Sequence, residues 1–230
     1  MRFLNPEHRS LFLLLSVLTF IVLTAFLENS RAGEFLLVVS TYLTLVAATM
    51  ELSERRLVFW TALPLAGISM ILLLVSHLAF YQNRPIQLAS DLVLAVFLGM
   101  VSVSLFTYLG RPGAITAGRL YVSVSLYFLM GLSWYVFYQL VNFFQPGSFA
   151  EAGKPLLGRV APSKMIYFSL ATLTTLGYGD LVAIRPPARI LAALEAAAGV
   201  LYIAITVARL VASYQRPLRR EETVPGGTRP

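Results

Sequence analysis

Residues Thr172 to Asp180 read T-L-T-T-L-G-Y-G-D, with Gly177 and Gly179 on either side of Tyr178. A strand whose carbonyls all turn to one side needs alternate residues that accept positive backbone dihedrals, and glycine accepts them without steric cost. Oxygens stacked in that way could replace the water around a dehydrated cation. The same composition also makes an ordinary glycine-rich turn, so the flanking elements decide between the two. Other chemistry is sparse. There is no cysteine, which removes disulfides, thiol catalysis, thiolate zinc sites and iron–sulfur clusters, and two histidines leave little for other metals. No nucleophile–base pair, metal-ligand spacing or phosphate loop occurs, so the chain is not read as an enzyme and no organic cofactor is expected.

The elements that must hold this string are apolar and long. Of the 230 residues 57% are hydrophobic and only 13% charged, and the mean hydropathy is +0.74. Soluble domains carry about 25% charged residues, so a cytosolic globular protein is excluded. Unbroken apolar runs cover 11–27, 35–50, 57–80, 86–109, 120–144 and 188–214. Each is long enough, or nearly so, to cross a hydrocarbon layer that takes about 20 helical residues. The first run follows Arg2 and Arg9 as a cleaved leader would, but it lacks a small-x-small site and runs into Phe26, Leu27 and Glu28, so it is read as a retained span. One further stretch, 165–173, is about half the needed length and reads as re-entrant or interfacial. Irregular backbone at that depth must be buried in protein or line water, which makes the segment after it the place to look for function.

Six crossings put both termini on one side. Eleven of the eighteen Lys and Arg fall at the termini and in the 51–56 and 110–119 loops, so that side is expected to be cytoplasmic. Four of the other seven, Lys154, Arg159, Lys164 and Arg185, lie in the single connection 145–187. The protein is therefore expected to be integral to a plasma or inner membrane, bathed in lipid and not bound to nucleic acid, despite its net charge of +7. The tail 215–230 is basic and rich in Pro and Gly and reads as disordered.

A half-length helix, the string T-x-G-Y-G-D from Thr175 to Asp180, and then a spanning helix together resemble the pore of tetrameric potassium channels. The resemblance runs from about Ser163 to Tyr214. It implies an all-α membrane protein with a four-helix sensor-like domain at 1–110 and a pore domain at 119–214, made of an outer helix, re-entrant helix, filter and inner helix. The carbonyls of Thr175, Leu176, Gly177 and Tyr178, with the Thr175 hydroxyl beneath them and Gly179 completing the turn, would then hold K+ ions. One chain carries one filter, so three further copies are implied. A re-entrant helix from Ser163 to Thr174 would aim its partly negative C-terminus at the cavity below, with Ser163 at its cap or first turn.

The family usually has Val at the position of Leu176, whose carbonyl is nonetheless what would supply the site. Where many voltage-gated relatives have a Trp pair, this chain has Tyr167 and Phe168; Tyr167 could donate to Asp180, or both rings could be apolar filling. Thr174 would support the filter from the helix end. Gly199 stands at the family's hinge, and close helix packing is its other reading. The Pro-x-Pro kink is absent, with Thr206-Val207-Ala208 in its place. Val200, Ile203, Val207 and Val211 share one helical stripe that either lines the pore, closing it by dewetting, or packs on neighbouring helices. Glu195 falls about 80° from that stripe, so it faces the re-entrant helix near Ser169 or Thr174, or a neighbouring subunit. Lining the cavity is its alternative. An ionisable group at that depth demands a partner. Arg209 is expected to snorkel to the interface.

Voltage-gated relatives carry Arg or Lys at every third position of the fourth segment, whereas 92–110 contains none here. Steep voltage gating is not expected. His77 and Asp91 could meet across antiparallel helices as a static pair or as a proton sensor. Trp134, Tyr135 and Tyr138 read as an interfacial belt or as helix packing. The leading reading is a voltage-independent potassium-selective pore in which the four-helix part stays with its own subunit, leaving room for an unidentified regulatory chain. A potassium-uptake transporter subunit and a non-conducting channel-modifying subunit are the alternatives. The first would carry four degenerate pore repeats in one chain, and the intact filter argues against the second.

Overall fold

The computed structural model describes residues 6–27, 31–54, 56–78, 84–111 and 116–214. Helices α1 (Pro6–Leu27), α2 (Arg31–Glu51), α3 (Arg56–Leu78) and α4 (Arg84–Leu109) are followed by the long α5 (Ala117–Phe144), the short α6 (Pro162–Leu173) and α7 (Pro186–Tyr214). The chain is an all-α membrane protein. Helices α1, α3, α4, α5 and α7 are long and apolar enough to cross a bilayer. Six spans are expected from the sequence. The difference is α2, whose apolar stretch Leu36–Glu51 is shorter than a crossing requires although the helix itself runs for 21 residues beside α1.

Several hydroxyl side chains inside these helices bond to their own backbone, whereas the Ser69 and Ser102 hydroxyl oxygens are buried with no partner among the described residues. Ser16 donates to the Leu13 carbonyl, Thr24 to Phe20, Thr49 to Leu45 and Ser133 to Leu129, at 2.7–2.8 Å. This local bonding lets polar residues occupy spanning helices without an exposed donor.

α5 is the axis of the molecule. α1, α4, α6 and α7 all pack on it, and one continuous core runs from Leu13 through Phe97 and Leu129 to Tyr202. The parts 1–110 and 119–214 therefore share a core, and the four-helix part sits against the outer helix of its own chain. Residues 112–115 of their connection and the tail 215–230 lie outside the described residues.

Two strands between α5 and α6 join a third between α6 and α7 in a small sheet that the apolar-run reading does not anticipate. Strands β1 (Phe149–Glu151), β2 (Lys154–Pro155) and β3 (Leu181–Ala183) are antiparallel in the order β2-β1-β3. The β1–β2 hairpin turns through Ala152 and Gly153, both at positive φ, as two-residue hairpins require. β3 leads directly out of the Gly-Tyr-Gly segment, and Glu151 faces Leu181 in register. The amides of α5's last two turns hold the rest of the connection: Gln139 Nε2 donates to the Val160 carbonyl and Asn142 Nδ2 to Gly158, each at 2.6 Å.

α6 fits between α5 and α7 because both present glycine to it. A Cβ built at Gly131 would lie 2.8 Å from a Leu170 methyl, and one at Gly199 would lie 2.0 Å from the Leu173 carbonyl oxygen. The second contact is with backbone and cannot be relieved by a rotamer. Gly199→Ala should therefore push α6 off α7 and lower stability by about 1–3 kcal/mol, read as a lower melting temperature of the detergent-solubilised protein. Gly67→Ala in α3, where nothing lies within 4 Å, is the matched control and should leave melting unchanged or raised. Equal melting of the two variants would remove the steric account.

Candidate ion pathway

α6 begins at Pro162, with Ala161 as its cap residue and no capping side chain, so Ser163 is a first-turn residue and not the cap. Proline suits this position because its missing N–H would have no helical partner there. The helix ends at Leu173 with Thr174 as C-cap. Beyond it the chain doubles back against the helix end: the amides of Leu176 and Gly177 both donate to the Ala171 carbonyl, at 2.8 and 3.2 Å. The Thr174 amide and hydroxyl donate to Leu170, at 3.0 and 2.7 Å.

From there the backbone alternates. Thr175 has φ 58°, Gly177 52° and Gly179 79°, while Leu176 and Tyr178 between them stay at negative φ. Two of these left-handed positions are the glycines that the sequence marks. The third, Thr175, gives no sequence signal, because a β-branched residue is a poor occupant of this region and costs about 1–3 kcal/mol there. All seven residues from Thr174 to Asp180 are exposed in the single chain. Leu176 and Tyr178 are among them at 55% and 71%, large apolar surfaces with nothing in this chain to cover them.

At the far end of the strand the Tyr167 hydroxyl faces both carboxylate oxygens of Asp180 at 2.9 Å. The Ala152 amide donates to the Asp180 carbonyl at 3.2 Å, so the small sheet and α6 hold this residue from two sides. Lys164 in the first turn of α6 pairs with Glu151 of β1 at 2.5 Å.

Behind α6 lies a buried polar centre. Glu195 is fully buried, and its carboxylate oxygens meet Ser169 Oγ of α6 at 2.5 Å and the Tyr138 hydroxyl of α5. Ser169 Oγ also lies 2.7 Å from the Gly131 carbonyl. Ser169 has one hydroxyl proton for two acceptors, so the set is complete only when the carboxyl brings a proton of its own. Thr174, the other candidate contact for Glu195, bonds to the helix end instead. Tyr138 is also the apex of a ring triangle with Phe149 and Phe168, with centroids 5.0–5.4 Å apart and edge-to-face planes. Tyr138 is therefore interior, and an interfacial belt does not describe it. Its role as a Glu195 partner has no signature in sequence, since the two residues are 57 positions apart.

α7 is an unbroken helix with two faces. Ala188, Glu195, Gly199 and Tyr202 are buried against α5 and α6, and Tyr202 bonds to Ser123. Val200, Ile203, Val207 and Val211 form the adjoining stripe and are 50–53% exposed. The Arg209 guanidinium stacks over the Phe106 ring of α4 at 5.8 Å. Asp91 pairs with Arg159 of the connection before α6. His77 lies in α3, but its side chain is outside the described residues, so its pairing with Asp91 is not described. Among the described residues no cluster of His and carboxylates could hold a metal ion.

Residues 122–216 match the model of a family described as ion channels. Over 82 residues, 36% of this chain and 15% of the relative, the sequence is 37% identical to the potassium voltage-gated channel protein shk-1 of Caenorhabditis elegans. Over 73 residues, 32% of this chain and 20% of the relative, it is 36% identical to the inward rectifier potassium channel Kirbac3.1 of Paramagnetospirillum magnetotacticum. The chain thus spans a fifth or less of each of these two relatives. No solved structure matches the chain. The matched stretch starts in α5 and takes in α6, the Gly-Tyr-Gly segment and α7; there the chain is similar to a family of ion channels, and over about a third of its length to these two potassium channels.

Proposed function

We propose that the protein is the pore subunit of a potassium-selective channel, that four copies surround one filter, and that opening is not steeply dependent on voltage. The observation that carries this reading is the alternation of backbone hand at Thr175, Gly177 and Gly179 on a strand strapped to the end of a half-length helix. Such a strand can present successive carbonyls to one side, where they replace the hydration shell of an ion. In this reading K+ sits among the carbonyls of Thr175, Leu176, Gly177 and Tyr178. Both faces of the strand need company, and the exposed Leu176 and Tyr178 side chains gain it from adjacent copies. Tyr167 and Asp180 brace the mouth, Thr174 the base, and the stripe Val200, Ile203, Val207 and Val211 lines the path beneath. Gly199 serves close approach to α6, and any hinge must act through that contact.

The four-helix part has no row of basic residues in α4 on which a membrane field could act. Moving one charge through 100 mV yields about 2.3 kcal/mol, so steep gating needs several such charges in each subunit. Purified protein in planar bilayers under potassium and sodium gradients should show currents that reverse near the potassium equilibrium potential. Open probability should change little between about −100 and +100 mV. A reversal potential indifferent to potassium overturns the pore reading, and strongly voltage-dependent opening overturns the second part alone.

Glu195 supports the filter by tying α5, α6 and α7 together, and the count of protons at Ser169 dictates how substitutions behave. Glu195→Gln keeps two polar atoms and supplies the missing hydrogen, so assembly and selectivity should stay near native. Glu195→Ala leaves Ser169 its bond to the Gly131 carbonyl but strands the Tyr138 hydroxyl beside a cavity, and should lower the stability of the assembly by about 2–5 kcal/mol. Thermal melting of the solubilised oligomer separates the two. A Gln variant as damaged as the Ala variant would mean that the ionised carboxylate is required.

A further inference from the structure

We propose that the Asp91–Arg159 ion pair is the positioning contact through which the four-helix part holds the filter in its conducting form. Asp91 lies within α4, 5% exposed, and Arg159 comes from the connection that leads into α6. The guanidinium meets both carboxylate oxygens, Nη2 to Oδ1 at 3.1 Å and Nη1 to Oδ2 at 3.2 Å, a forked geometry that fixes direction as well as distance. Two residues separate Arg159 from the start of α6 at Pro162, and the residues beside it are fixed on α5 by Gln139 and Asn142.

A rigid path therefore runs from α4 through Arg159 to the first turn of α6, along a helix of 12 residues, and out into Thr174 and Thr175. Besides its packing along α5, α4 meets the pore part at the other end of the molecule by guanidinium–ring contact, Phe106 under Arg209 at 5.8 Å and Tyr108 under Arg119 at 5.5 Å. Those contacts are non-directional by comparison.

The surroundings keep the pair from being an inert surface bridge. On one side Arg159, Tyr135 and Pro162 wall a mostly apolar cavity of about 110 Å³ that reaches Thr24, Leu73 and Leu98. On the other, Arg84, Gln87, Gln139 and Asn142 surround a polar cavity of about 40 Å³, room for a water molecule or two. Loss of Asp91 would leave the Arg159 charge between an apolar cavity and a wet one, with no other acidic residue among the described residues lining either space. The four-helix part thus acts on the pore as a fixed buttress, and not as a moving sensor.

This inference rests on the reading of residues 175–179 as a potassium filter, and its test keeps the two apart. Native protein, Asp91→Asn, Arg159→Gln, the double neutral variant and the charge exchange Asp91→Arg with Arg159→Asp are recorded in bilayers as external potassium is replaced by sodium. The potassium-to-sodium permeability ratio and the rate at which current is lost in low potassium are read per open channel, so the amount of folded protein does not enter. Melting of the solubilised oligomer is followed alongside. Each single variant should lower the permeability ratio, or hasten current loss, by about fivefold or more. The double neutral variant should be no worse than the worse single one, and charge exchange should restore native behaviour. Singles that keep native selectivity and decay while merely melting lower would make the pair structural and overturn the proposal. Additive losses in the double neutral variant would overturn it too, and decide the matter if the exchanged protein does not assemble. Native currents indifferent to potassium would instead remove the filter reading, and this inference with it.

Discussion

A helix that stops halfway through a membrane protein leaves its last carbonyls with no turn to follow, and the way those oxygens are satisfied governs everything around them. In α6 the Ala171 carbonyl takes the amides of Leu176 and Gly177, Leu170 takes the Thr174 amide, and Leu173 faces the Tyr127 hydroxyl at 3.3 Å. The chain can reach back in this way only if it reverses sharply, and that is where Thr175 adopts its left-handed backbone. The bonds that finish the helix are thus the same bonds that aim the strand after it. Gly199 completes the arrangement, since any side chain there would occupy the place of the Leu173 oxygen.

The helix is fixed along its length by contacts of different kinds. Lys164 and Glu151 hold its start, Ser169 and Glu195 its middle, and Tyr167 joins its first half to Asp180 at the far end of the strand. The middle contact is buried in an apolar setting, where an unsatisfied polar group is costly and a satisfied one is highly directional. Aromatic packing of Tyr138, Phe149 and Phe168 encloses it. The outer contacts are more open, and they draw on the small sheet for rigidity.

Local pattern accounts for what the sequence makes legible. Apolar runs mark the spanning helices, alternate glycines mark the strand, and the helical angle between Glu195 and Ile203 places the carboxyl on the α6 side. What the pattern hides depends on tertiary placement. Asp91 and Arg159 are 68 residues apart, and a loop arginine carries no periodicity to betray its target. The strands are three residues or fewer, and their hairpin turns on Ala152-Gly153 in place of the usual Asn-Gly, so no strand signal rises above the loop. Tyr138 lies near Trp134 and Tyr135, where a belt is the natural reading, yet its ring points inward to a partner that comes from the last helix.

The exposed run from Thr174 to Asp180 bears on how such a chain is made. In the proposed assembly the strained threonine and the two uncovered side chains gain cover only from other copies, so the strand's integrity there depends on association as well as on the folding of one chain. Its integrity then follows mass action. Dilution within the membrane, or synthesis slower than degradation, would erode the ion path before it unravelled a single helix.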